Sequence, residues 1–289
     1  MFQAQQTIES EVSISGIGLH SGQAVNMCLK PAPVDSGITF KRVDLKGHTG
    51  INVSPFHVRE ALMCTLLASP DTDKVHISTI EHLMSALCIF AVDNLIIEVD
   101  AAELPVMDGS SAPFVFYLEK AGIRPQDKAR KIIKVVKKVR VEAEDKYAEV
   151  LPAKSTSYRF EIRWDHPVIA KTPNVAEFDA DKKTYIEQIC KARTFGFVEQ
   201  LKMLHAQNLA KGASLENAVG ISENGIANPE GLRYEDEFVK HKLLDAIGDF
   251  YIGGAIIGRF NCYKSGHALN NQLLRRLYHD ASAWESLQG

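Results

Sequence analysis

No C-x-x-C pair occurs in the 289 residues, which speaks against a cysteine zinc site. The five cysteines (Cys28, Cys64, Cys88, Cys190 and Cys262) are scattered and odd in number, so no disulfide framework is suggested. There is no Walker loop, no G-x-G-x-x-G after a strand and no short-period repeat. The opening MFQAQQTIES lacks a basic start followed by an apolar run, so no export signal is read. The most apolar long stretch, 243–258, is interrupted by Asp245 and Asp249 and is too short to span a bilayer. Charge of one sign is lacking too: the formal net charge is −3, with no bulk drive toward nucleic acid or an anionic membrane. A reducing cytoplasm fits these absences.

What is present is an ordinary globular composition, 45% hydrophobic and 24% charged, in a chain about twice the common domain size. Two domains are expected, divided near residue 127. The first half opens with strand-like alternation in TIESEVSISGIGL and AVNMCLKPA, and GITFKRVD reads as a further strand. HISTIEHLMSALCIFAV changes to helical spacing, with Ser78 or Thr79 as the N-cap. NLIIEVD returns to strand. APFVFYLEKAG reads as a helix with Pro113 near its start and Gly122 past its end. The second half repeats this order of strands, helix, strand and helix, with an irregular Gly- and Asn-rich section between Thr194 and Glu230. Strands and helices in blocks argue for α+β layers rather than a doubly wound parallel sheet. The basic stretch KARKIIKVVKKVR reads as a linker and strand with lysines outward rather than a nucleic-acid patch, because the rest of the chain is acidic in balance.

The chemistry gathers on RYEDEFVKHKLLDAIGDF. His241, Asp245 and Asp249 follow one another in steps of four, which puts them on one face of a helix. That face is either solvated or meets something needing an imidazole and a carboxylate together. A second helix, in TIEHL, carries Glu81 and His82 beside Leu83, Met84 and Leu87. Its histidine reads either as a hydrogen-bonded core residue or as a third ligand arriving across a domain interface. Two histidines and a carboxylate with an open fourth position form a common catalytic zinc set. The glutamate beside such a ligand suits a general base, as in H-E-x-x-H enzymes, with the order reversed here. His267, just before a helix, and Thr194, in KARTFGF, are further candidates: an imidazole that Asp249 would orient and charge, and a hydroxyl for a developing oxyanion.

SGIGLHSG, STIEHLMSAL, ELPVMDGSSAPF, ARTFGF, GLRYEDEFVKHKLLDAIGD and YKSGHALNNQLL, in this order and over nearly the whole chain, resemble the UDP-3-O-acyl-N-acetylglucosamine deacetylase family. The resemblance implies two layered α/β-sandwich domains of similar topology, 1–127 and 128–289. Their helices would pack face to face with the active site between them. It implies zinc held by His82, His241 and Asp245, with iron a rival in the cell. Glu81 becomes the general base, His267 an imidazolium steadied by Asp249, and Thr194 a donor to the oxyanion. Lys242 and Lys264 are expected near the sugar or diphosphate, and His20 near the site. Trp164 and Asp165 are expected at the uracil. An inserted strand–helix unit at about 195–225 would form an acyl passage lined by Phe195, Leu201, Leu209, Ala210, Gly212, Ala213, Ala218 and Val219. The implied reaction removes the N-acetyl group of UDP-3-O-(hydroxyacyl)-N-acetylglucosamine in lipid A biosynthesis, in a cytoplasmic monomer without nucleic-acid partners. Two other readings of the residues stand beside this one. Two histidines and a carboxylate also suit an Fe(II) oxygenase, and a metal-free binding module for a nucleotide sugar would make the histidines structural.

Overall fold

The protein is described by a computed structural model that covers residues 3–47 and 50–288. The early alternation forms an antiparallel pair, Val12–Ile17 with Ala24–Pro31. Val12, Ile14, Val25, Met27 and Leu29 face inward, while Ser13, Ser15 and Asn26 face solvent. This hairpin joins a five-stranded sheet in the spatial order Val12–Ile17, Ala24–Pro31, Leu95–Val99, Ile38–Arg42, Ile51–Asn52. Only the Leu95–Val99 and Ile38–Arg42 pair is parallel. The second half builds a sheet of the same order: Val139–Ala143, Lys146–Leu151, Arg259–Tyr263, Ser157–Glu161, Val175–Asp179. Again one pair is parallel, Ser157–Glu161 with Arg259–Tyr263. The expected α+β class with two halves of like topology is what the chain adopts.

Among the described residues, six helices accompany the sheets: α1 (Glu81–Ile89), α2 (Ala112–Ala121), α3 (Lys182–Gln188), α4 (Leu201–Ala206), α5 (Glu237–Tyr251) and α6 (His267–His279). α1 lies against α5. α2 packs on α1 and the first sheet, and α6 on α5 and the second sheet. The helices of the two halves therefore meet in the middle. α5 is buried along its whole length except at Lys240 and Lys242, so its histidine and aspartates are interior groups rather than a solvated face. Its inner residues Leu243, Leu244, Ile247 and Phe250 join one continuous core with Leu83, Met84 and Leu87 of α1. Phe250 stacks on Phe260 of the second sheet at 4.4 Å.

Each half also carries a small three-stranded insert. In the first half it is Val58–Arg59, Leu66–Ala68, His76–Ser78. In the second it is Phe195–Phe197, Val219–Ser222, Gly225–Ile226, together with α4. The expected boundary at 127 falls inside the strand Ile123–Ala129, which pairs with Ala4–Ile8. In the basic stretch that follows, every lysine and arginine has a partner within the fold. Lys128 and Lys131 pair with Asp35, Arg130 with Asp93, Lys134 with Glu285, and Lys138 and Arg140 with Glu149. Lys137 donates to the Ser282 hydroxyl.

One local expectation is corrected. Neither Ser78 nor Thr79 caps α1. The N-cap is Ile80, with no side-chain hydrogen bond. Ser78 belongs to a strand, and Thr79 sits at φ 59° with its hydroxyl donated to Glu103. The start of α1 is built around the buried carboxylates Glu81 and Glu103 instead of a solvated cap.

Candidate active site

α1 and α5 approach closely because α5 has a glycine where they touch. A Cβ on Gly248 would stand 2.0 Å from the Glu81 carbonyl oxygen. This brings the first turn of α1 beside the second and third turns of α5. His82 Nε2 and His241 Nε2 each lie 3.4 Å from Asp245 Oδ1. The two imidazole rings stand edge to face, their centroids 5.0 Å apart. All three side chains are buried, and one ligand atom from each fits within 4.8 Å of the others. His241 Nδ1 is 3.0 Å from the Ala192 carbonyl. A carbonyl only accepts, so Nδ1 carries the proton and Nε2 presents its lone pair. Burial presses His241 down to about 3, so the ring is neutral, as a ligand must be. Burial opposes the charge of Asp245, but the Lys242 ammonium bonded to it holds its carboxyl well below the usual range.

The donor set fits a metal ion, and one atom asks for it. Asp245 Oδ2 accepts a bond from Lys242 Nζ at 2.8 Å, but Oδ1 is buried with no donor. An ionised, desolvated oxygen without a partner is costly. This one faces two imidazole nitrogens 3.4 Å away, and that of His241 has a lone pair rather than a proton to offer. A divalent cation satisfies all three.

Further titratable groups surround this trio. Glu81 is buried, its Oε2 accepting the Thr65 backbone N–H at 3.1 Å, and burial raises its carboxyl above the usual range. His267 opens α6 and its Nδ1 lies 2.9 Å from Asp249 Oδ2. Burial alone would lower the imidazole, but Asp249, with Glu81 and Asp245 behind it, raises it to about 9. Asp249 is held on both oxygens: Oδ2 also accepts from Asn270 Nδ2 at 2.8 Å, and Oδ1 from Thr65 Oγ1 at 2.6 Å.

Beside these groups a cavity of about 280 Å³, mostly apolar, runs into the second-half insert. Thr194 lies at its wall, fixed by backbone bonds from Thr194 N to Gly109 O and from Val219 N to Thr194 O. Phe195, Leu201, Ala210, Ala213, Ala218 and Val219 line it, as does Leu204, which the sequence reading had not picked out. The opposite wall comes from the first half, with Leu19, His20 and Met63. Two expected lining residues are corrected. Leu209 is not in the wall. Gly212 serves a backbone contact, since a Cβ there would stand 2.2 Å from the Gly18 carbonyl oxygen. Lys211 and Gly212 donate backbone N–H bonds to His20 O and Leu19 O. Glu103 clamps the same loop by accepting from the His20 and Ser21 amides at 2.7 and 2.9 Å. His20 Nδ1 accepts from Ala210 N at 3.4 Å.

The remaining candidates lie further out. Lys242 points back to Asp245 and lies 6.0 Å from the Phe195 ring centroid. Trp164 packs edge to face on Phe195 at 5.5 Å, and Asp165 is exposed. Lys264 pairs with Asp145 at the turn of the second-half hairpin. Sequence reasoning also missed the groups that hold the site: Thr65, Asn270 and the buried Arg193. Arg193 bonds to Glu237 through its amide and guanidinium, fixing the chain between Ala192 and Thr194. Asn270 was within reach of the pattern, three residues after His267 on the same helix.

Comparison with known proteins agrees with this geometry. A family profile described as UDP-3-O-acyl N-acetylglycosamine deacetylase matches residues 5–279. A UDP-3-O-acyl-N-acetylglucosamine deacetylase from Francisella tularensis subsp. tularensis (strain WY96-3418) is 58% identical over 281 residues, 97% of this chain and 98% of the relative. Proteins of the same name from Shewanella frigidimarina (strain NCIMB 400) and Shewanella pealeana (strain ATCC 700345 / ANG-SQ1) are each 50% identical over 282 residues, covering 97% of this chain and 92% of each relative. With a buried two-histidine, one-aspartate centre between its halves and this likeness along nearly its full length, the chain belongs to the UDP-3-O-acyl-N-acetylglucosamine deacetylase family.

Proposed function

We propose that His82, His241 and Asp245 hold a zinc ion and that the family's reaction runs beside it. That reaction hydrolyses the N-acetyl group of a UDP-3-O-acyl-N-acetylglucosamine to the free 2-amine and acetate, a step of lipid A biosynthesis. The observation that carries the reading is Asp245 Oδ1, ionised, buried and without a donor, facing two imidazole nitrogens. A bound ion of this kind acidifies water and polarises an amide carbonyl. Glu81 takes the proton of the attacking water, its raised pKa making it a stronger base than an exposed carboxylate. The Thr194 hydroxyl donates to the oxygen as negative charge develops on it. His267, its Nδ1 engaged by Asp249, keeps Nε2 free to steady that oxygen and then to protonate the nitrogen as the C–N bond breaks.

The acyl chain enters the 280 Å³ cavity, whose apolar wall suits methylenes. The nucleotide lies toward Trp164, Asp165 and Lys264, and Lys242 reaches the sugar. Cytoplasmic work is supported by five free cysteines. A monomer is the proposed state, tested by sedimentation. The described residues include no helix long and apolar enough to cross a membrane. The decisive experiment measures acetate release from the acylated UDP-sugar before and after chelation, then with zinc or Fe(II) restored. Turnover that survives complete metal removal would refute the metal assignment. Recovery with Fe(II) alone would replace zinc by iron.

A further inference from the structure

We propose that Thr65 is a positioning residue for both proton-handling groups of the site. Thr65 lies in the first-half insert, just before the strand Leu66–Ala68, and it is buried. Its hydroxyl donates to Asp249 Oδ1 at 2.6 Å, across from the first half to α5. Its backbone N–H donates to Glu81 Oε2 at 3.1 Å. One residue therefore touches the carboxylate read as the base and the carboxylate that orients the imidazolium.

The hydroxyl matters because of what the other Asp249 oxygen does. Oδ2 is shared by His267 Nδ1 and Asn270 Nδ2. A carboxylate held only on that side can still pivot about its Cβ–Cγ bond. A donor on Oδ1 fixes its plane, and with it the line along which His267 is held. The threonine, histidine and asparagine donors leave the anion fully satisfied. The charged and titratable groups around His267 are Asp249 and Asp245 on α5, Glu81 on α1, and His20 on the loop that walls the acyl cavity. Arg59, Glu60 and Arg275 line, together with Thr65 and His267, a second cavity of about 600 Å³.

The test compares Thr65→Val and Thr65→Ser with the wild type, each loaded with zinc, by acetate release across pH and by metal content. Valine keeps the volume and removes the donor, leaving the backbone bond to Glu81. Loss of a hydrogen bond to a buried charge predicts a fall in kcat on the order of tenfold to a hundredfold, with KM and bound metal unchanged. The basic limb of the pH profile moves upward, because an Asp249 anion short of one donor gains more from a charged His267. Serine restores both. The proposal rests on the deacetylase reading. Acetate release by the wild type tests that reading, while the variants relative to wild type test Thr65. A valine variant with wild-type kcat and an unmoved basic limb overturns the proposal. So does a serine variant as slow as valine, since the hydroxyl would then not be what acts. A valine variant that loses metal in step with activity overturns it as well, by making Thr65 a support of the metal centre itself.

Discussion

Replacing Gly248 with alanine adds one methyl group at the point where the two halves touch most closely. An ideal Cβ there lies 2.0 Å from Glu81 O, 2.8 Å from Glu81 C and 3.0 Å from Ser85 N, all of them backbone atoms. An ordinary carbon–oxygen contact needs about 3.3 Å, so α1 must retreat from α5 by roughly 1.3 Å. No side chain can rotate to relieve the clash. Glu81 and His82 ride on the displaced turn, and His82 Nε2 now stands only 3.4 Å from Asp245 Oδ1. Ligand distances tolerate about 0.2 Å, so the third ligand leaves the centre. A base misplaced by about 1 Å adds a loss of roughly a hundredfold even where metal is forced in. Helix propensity points the other way, since alanine is favoured over glycine by about 1 kcal/mol. Overpacking costs about 1–3 kcal/mol and should win or nearly cancel it. The expected variant therefore folds, melts within a few degrees of wild-type apoprotein, binds zinc much more weakly and stays slow at saturating zinc. Metal titration, thermal melting and acetate release measure these separately. A variant with stoichiometric metal and wild-type turnover would show that the helices slide past each other without disturbing the ligands, and the reasoning would fail.

Five further outcomes follow from the same geometry. Asp245→Ala should lose most bound metal and activity together, and metal analysis showing full occupancy would remove it as a ligand. Glu81→Ala should retain metal and lose about a hundredfold or more in turnover; a wild-type rate would take the base elsewhere. His267, raised to about 9, is charged below that pH, so activity should fall as pH rises through about 9, and His267→Ala should abolish that limb. The same shift makes a stability statement: the contribution of the His267–Asp249 pair is fully present below 6.5 and is lost as pH climbs from 6.5 to about 9, which chemical denaturation of the apoprotein across that window can read. Ala213→Phe should slow long-chain substrates more than short-chain ones, and equal loss for both would mean that the chain does not pass Ala213.

How far the sequence reaches is clearest on α5. Spacing in fours puts His241, Asp245 and Asp249 on one face of a helix, because helical geometry is local, but it leaves open whether that face is solvated; the fold buries it. The two-half α+β architecture was readable from the repeated order of blocks. The resemblance to a known family, rather than spacing, joined His82 to the α5 pair. What escaped was set by contacts distant in sequence. Thr65 looks like an unremarkable residue of a short strand-rich segment, and only the fold brings it to Asp249, 184 positions away. Gly248 reads as a weak point in a helix until the opposing backbone is in place. Thr79 carries the residue type of a cap, yet it adopts a left-handed conformation and binds Glu103. The family resemblance implies Gly212 and Leu209 as lining of the passage, but a resemblance of motifs does not tell which way a loop turns.

The loop at 210–212 is stitched to the loop at 18–22 by main-chain bonds, with Glu103 gripping the far side through amides alone. The side chains of Ala213, Ala218 and Leu204 take no part in this seam, so substitutions there can lengthen, shorten or bend the cavity while its wall stays closed. On the proposed reading that an acyl chain fills it, preference for a given fatty chain becomes a trait that can be retuned one residue at a time, independent of the chemistry beside it.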